Sequence, residues 1–200
     1  TAAYPLLAYN HGTILVRTDA PSYGGSERLI GLAVASEGYV IAMTDYLGLG
    51  DSPGIHPYIH AKSEATSIID ILRASRRHCA TLKRKLNNKL FLIGYSQGGH
   101  STMAAHREIQ QNYGSEFTVT ASAPMAGPYD CSGAQQQMIT SDNPYPAPYY
   151  LPYLLNSYNY VYQLYPNLAD IFDTPYSATI PPLMDGTHTS GQIDAQMPQP

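Results

Sequence analysis

The stretch "LFLIGYSQGGHSTMAAH", Leu90 to His106, limits the possible folds more than any other part of the chain. With Lys89 before it, its first half reads as a strand that is apolar on both faces, as at the centre of a parallel sheet. Its second half carries a helical pattern that runs from about Gln97 to Tyr113. The chain must therefore pass from strand to helix within a few residues, and Ser96 stands at that turn between Gly94 and Gly98. Glycine is expected at both places because side chains there would collide with neighbouring backbone. A serine so placed is held out at the carboxyl end of the sheet, where open α/β folds put their ligands. The helix that begins beside it points free amides and its positive dipole end at the same spot, as a developing oxyanion requires. That is the layout of a nucleophile elbow. The competing reading is a glycine-rich turn with an incidental serine.

The neighbouring segments support a parallel α/β sheet, because short apolar runs alternate with helical periodicity. "YPLLAY" reads as a strand, Ser26 to Ser36 as a helix stopped by Gly38, and "YVIAMT" as the next strand. In the helix that follows, Ala65, Ile68, Leu72, Ser75, Cys79 and Leu82 recur at spacings of three and four and share one buried face. Cys79 is thus expected in the core. A strand near Phe117 to Ala123 closes the regular part. Beyond Gly127 the character changes, since "DNPYPAPYYLPYLLNSYNYVYQLYP" is crowded with tyrosine and proline and has no clean period. It reads either as a cap or lid, or as an irregular region that only covers the sheet. The boundary is set at residues 1–127 for the core and 128–200 for the cap segment.

Composition narrows the partners. A net charge of −4, and one basic cluster (Arg73, Arg76, Arg77, Lys83, Arg84, Lys85) late in a predicted helix, argue against nucleic acid. No apolar run approaches the roughly 20 residues of a membrane-spanning helix, so no transmembrane segment is expected. Two cysteines, Cys79 and Cys131, are too few for a disulfide framework or a zinc site, and they either pair or stay free. No cofactor and no metal are called for.

Acyl transfer needs a second oxyanion donor, and the loop after an early strand is where it is expected. "YNHGT" supplies it: the backbone amide of Thr13 is taken to act with that of Gln97, with His11 or Gly12 as alternatives. His11 itself reads as a residue that braces the loop.

At this point the chain resembles the secretory lipase family of the α/β-hydrolase superfamily. "YNHGT", "SEGYVIAMTDYLGLGDS", "HPY", "GYSQGGH" and "APMAGPYD" stand in the order and at roughly the separations of that family, over nearly the whole chain. The resemblance implies a secreted or extracytoplasmic serine ester hydrolase acting on small-molecule or lipid esters, with a helical cap inserted after the sixth strand. It also implies a triad acid and histidine after the serine, each on a loop following a later strand. Past the last predicted strand there are six aspartates but a single histidine, His188, and no convincing strands. Asp185 and His188 stand three apart in "DGTHTSG", which reads as cap or loop and makes His188 a poor base. The chain is therefore expected to be a fragment, incomplete at both ends, that lacks the triad acid and histidine and turns over little.

Other constellations read as structural. His100, one turn beyond Ser96, is expected to be a buried, satisfied histidine. His56 and His60 have the spacing of two metal ligands on a helix, but no Glu as in H-E-x-x-H accompanies them and Pro57 intervenes. Asp45 and Asp51 flank glycines and are expected to hydrogen-bond a loop near the site. The reading is an α/β-hydrolase core with a mostly parallel sheet and the start of a cap, in which Ser96 works through an acyl-enzyme as a lipase or esterase. Acyl transfer or amide cleavage by the same nucleophile, and a non-catalytic binding module on the same fold, are the alternatives.

Overall fold

The computed structural model describes residues 2–198, so the outermost residues of both predicted segments, Thr1 and Gln199–Pro200, lie outside the described residues. Four strands, β1 (Ala3–Asn10), β2 (Val40–Ala42), β3 (Lys85–Tyr95) and β4 (Val119–Met125), form one sheet in the order β2-β1-β3-β4. Every pairing is parallel, with Leu7 opposite Ile41 on one side and Phe91 on the other, and Ile93 opposite Ala123. The crossover helices are α1 (Arg28–Ser36), α2 (Ala61–Thr81) and α3 (Gln97–Asn112).

The pleat decides where the core lies. Leu6 and Ala8 of β1, Ala42 of β2, and Leu90 and Leu92 of β3 face Ala65, Ile68, Ile69 and Leu72 of α2 and Ala105 and Ile109 of α3. Burying each large aliphatic side chain there contributes about 1.5–3 kcal/mol. Next to Ala42, Ile41 points the other way and meets α1 at Gly31, where a side chain would come within 3.5 Å of it. Helices thus cover both faces, as in a doubly wound sheet.

The elements agree with the pattern reading, with differences at their ends. α2 buries Ala65, Ile68, Leu72 and Cys79 as expected, but Leu82 is exposed. The helix stops at Thr81, so Leu82 is its C-cap and leaves the helical face, and Lys83 at φ 53° then turns the chain toward β3. β3 starts four residues ahead of the apolar run: Lys85 and Leu86 pair with Ala3 and Tyr4 across an irregularity, with Asn88 at positive φ beside it. β4 runs to Met125, two residues past the expected end, while Phe117 lies before the strand and is buried in the core. Both cysteines are free.

Residues 128–198 carry a π-helical turn (Cys131–Gln135) and four short to medium helices, α4 (Gln136–Ile139), α5 (Tyr150–Tyr162), α6 (Tyr176–Thr179) and α7 (Ser190–Asp194). They have no sheet. Tyr153, Ile180, Met184 and Ile193 instead bury their apolar surface with Tyr58 and Ile59 from the loop ahead of α2. No helix among the described residues is long and apolar enough to cross a membrane.

Candidate active site

The strand-to-helix turn holds Ser96 at φ 58° and ψ −123°, a conformation that costs a non-glycine residue about 1–3 kcal/mol. Its neighbours enforce it. A Cβ at Gly94 would lie 2.7 Å from the Asn10 carbonyl oxygen, and one at Gly98 would lie 2.9 Å from that of His11, so β1 and α3 close to a separation only glycine permits. The Ser96 N–H donates to the Met125 carbonyl at 2.9 Å, which ties the turn to the end of β4. Ser96 is half-buried and lines a cleft of about 240 Å³ together with Tyr58, Ile59, Met138, Tyr145, Tyr150 and Leu154. Gln97 is the first residue of α3, so its N–H is one of the amides that a helix start leaves unpaired.

The loop after β1 lies against this turn. His11 is buried, and its Nδ1 sits 2.7 Å from the Gly12 carbonyl. Burial lowers the His11 pKa, so the ring is neutral and its one N–H goes to this contact rather than to the 3.4 Å approach of Nε2 to Asp45. The loop-bracing role read for His11 matches these contacts. The Gly12 N–H donates to both carboxylate oxygens of Glu27, at 2.9 and 3.0 Å, and Glu27 also accepts from the Tyr9 hydroxyl. Gly12 is thereby committed elsewhere. Thr13 is half-buried, with its Oγ1 3.0 Å from the Tyr58 hydroxyl.

Behind the turn is a buried polar chain that the sequence reading missed. Gln97 places its two amide N–H groups on His56 Nε2 at 2.7 Å and on Glu64 Oε1 at 2.8 Å. His56 donates from Nδ1 to the Leu47 carbonyl, which leaves Nε2 free to accept and fixes the Gln97 orientation. Burial drives the His56 pKa down to about 4, so the ring stays neutral. Glu64 Oε2 lies 2.6 Å from His100 Nδ1, which gives His100 the structural partner expected of it. Glu64 had a visible signal, a lone carboxylate one turn before Ile68 on the buried face of α2.

The remaining residues singled out from the sequence are dispersed. His60 is not on a helix with His56; it caps α2, and its ring accepts from Ser63 N–H at 3.4 Å. No group of three metal-ligating side chains occurs among the described residues. Asp45 accepts from the Ser22 N–H and Asp51 from the Tyr23 hydroxyl, which joins the glycine loop to the turn before α1. Asp185 and His188 pair at 2.9 Å on the part-exposed surface, and neither lines the Ser96 cleft. Burial alone would raise the Asp185 carboxyl, but hydrogen bonds from His188 and Thr187 outweigh it and hold the pKa at about 2.

The profile of the secretory lipase family matches residues 24–187. The chain belongs to the secretory lipase family. Among solved structures it is similar to a Legionella pneumophila protein assigned as a hydrolase, with 33% identity and a TM-score of 0.89 over 99% of this chain and 54% of that one. It is also similar to the rice cell wall degrading esterase LipA from Xanthomonas oryzae, with 32% identity and a TM-score of 0.81 over the same shares. Candida antarctica lipase A in its closed state aligns with 99% of this chain and 47% of its own at 17% identity and a TM-score of 0.65, a likeness of fold alone. The chain spans about half the length of these structures. No match was found among curated protein sequences. The fold is that of the α/β-hydrolases, and the family is one of lipases and esterases.

Proposed function

We propose that this member of the secretory lipase family is a carboxylic ester hydrolase in which Ser96 is the nucleophile, secreted as the family description suggests. The observation that carries the reading is the backbone of Ser96, a serine kept at φ 58° by two close approaches of neighbouring chain, in the lining of a cleft. Strain of this kind persists where surrounding structure enforces it, and it concentrates at reacting groups. In the proposed reaction Ser96 Oγ attacks the ester carbonyl carbon and gives up its proton to a histidine. The tetrahedral oxyanion lies between the amides of Thr13 and Gln97. Its collapse expels the alcohol, which takes the proton, and water then hydrolyses the acyl-enzyme.

The histidine and its carboxylate are proposed to come from sequence other than these 200 residues. His11, His56, His60, His100, His106 and His188 all bond groups other than Ser96, the seventh, His78, is exposed in the last turn of α2 at the far end from the loop that lines the cleft, and the similar structures are about twice as long. Residues 1–127 then form the core and 128–200 the cap, and the apolar lining of the cleft suits an uncharged acyl ester. The test is labelling of the protein isolated from its source with a fluorophosphonate, followed by peptide mapping. An adduct on Ser96 that tracks loss of esterase activity is expected. Inactivation without modification of Ser96 would refute the assignment.

A further inference from the structure

We propose that Tyr58, in the loop ahead of α2, and Tyr153, on α5, are positioning residues that make the placement of the Thr13 amide depend on the docked cap helix. The inference rests on the reading of Ser96 as nucleophile and of Thr13 as oxyanion donor.

Residues 11–15 have no regular structure, so side-chain contacts must set their positions. On one side the Gly12 N–H is held by Glu27. On the other side Tyr153 donates its hydroxyl proton to the Ile14 carbonyl at 3.0 Å, across 139 residues of sequence. The peptide that carries the Thr13 N–H is bonded from the core through its own carbonyl, that of Gly12, 2.7 Å from His11 Nδ1, and the next tie along the loop, at the Ile14 carbonyl, comes from the cap. A third tie reaches Thr13 directly, from the Tyr58 hydroxyl to Oγ1 at 3.0 Å.

The two tyrosines act as a unit. Their rings stack at 4.5 Å between centroids with 20° between planes, and both are only 6% exposed, which limits the competition of water for their hydroxyl contacts. Tyr150 lies nearly parallel to Tyr58 at 6.3 Å, and both rings line the Ser96 cleft. Helix α5 is fastened to the same core loop by Ser157 Oγ on the His56 carbonyl and by the Tyr158 hydroxyl on the Ile59 carbonyl. A shift of α5 would pull the Tyr153 hydroxyl from Ile14 and the stack from beneath Tyr58. The donor loop would lose both ties from that side. An oxyanion donor must sit within tenths of an ångström of its place, so the ester carbonyl is activated fully only while the cap is docked.

The test is a set of variants of the protein at its full natural length: Tyr58→Phe, Thr13→Val, their double variant, Tyr153→Phe, and Ser96→Ala as a control. Readouts are kcat and KM on a short neutral ester, the Kd of an alkyl boronic acid that forms a tetrahedral adduct, and Tm. Each tyrosine variant and Thr13→Val should lower kcat roughly threefold to tenfold, the size of one hydrogen bond. KM should stay within about twofold, and boronic acid affinity should fall in step with kcat. Tyr58→Phe and Thr13→Val remove the same bond, so the double variant should be no slower than the slower single. A fall in Tm with kcat unchanged, or losses that multiply in the double variant, would overturn the proposal. Should Tyr153→Phe fail to fold, the cycle between Tyr58 and Thr13 still decides, because the Tyr58→Phe variant retains the aromatic ring and its stack. If Ser96→Ala hydrolyses at the parent rate, the reading of the site fails and takes this inference with it. If Ser96→Ala is inactive while the tyrosine variants run at full rate, only this inference fails.

Discussion

Replacing Ser96 by glycine should yield a more stable protein than replacing it by alanine. Both variants lack the hydroxyl and are inactive in the proposed reaction, so the comparison isolates backbone strain. At φ 58° and ψ −123° a residue with a Cβ bears about 1–3 kcal/mol of strain, and alanine keeps that cost. Glycine escapes it, but its freer unfolded chain takes back about 0.5–1 kcal/mol. The balance favours Ser96→Gly over Ser96→Ala by about 1 kcal/mol. In a chain of 200 residues that corresponds to a Tm difference of about 2–4 °C. Urea unfolding with equal m values, supported by calorimetry, measures it. Ser96→Gly melting at or below Ser96→Ala would show that the turn stores no strain, and the argument from an enforced serine would go with it.

Two further outcomes follow from the polar chain behind the turn. His56 has a folded pKa of about 4 against 6.5 when exposed, so between these values the unfolded chain binds the extra proton; its contribution is complete above pH 6.5 and lost as pH falls to 4. At 1.36 kcal/mol per pH decade the loss is about 3 kcal/mol, read as a falling Tm, and His56→Gln should flatten that slope; an unchanged slope would place the acid sensitivity elsewhere. Glu64→Ala strands one buried N–H of Gln97 and the ring of His100, and should cost about 2–4 kcal/mol in urea unfolding. Glu64→Gln, which can still accept from Gln97 and donate to Nδ1, should cost less than half of that, and equal losses would contradict this account of the network.

What could be read in advance was local. Short continuous apolar runs marked β1 and β3, and a helical pattern marked α2 and α3, because a central strand is covered on both faces while a helix meets the core along one stripe only. Gly94 and Gly98 were legible because a strand-to-helix reversal leaves no room for a Cβ, whatever surrounds it. The start of β3 was not: "KLNNK" has no strand pattern, and it is extended only because Ala3 and Tyr4 offer a partner. The donor loop was narrowed only in part, since Glu27, which occupies the Gly12 amide, arrives from the turn ahead of α1. Tyr58 stood out only as the last residue of "HPY", with no role attached, and Tyr153 was one of 18 tyrosines. Their roles depend on a meeting of distant parts of the chain that no local period encodes.

The most direct test of the central claim is a crystal structure of the protein bearing a phosphonate ester on its reactive serine. The account predicts the phosphorus bonded to Ser96 Oγ and the phosphoryl oxygen about 2.7–3.1 Å from the backbone nitrogens of both Gln97 and Thr13. Phosphorus on another residue, or an oxygen turned toward solvent away from both amides, would contradict it.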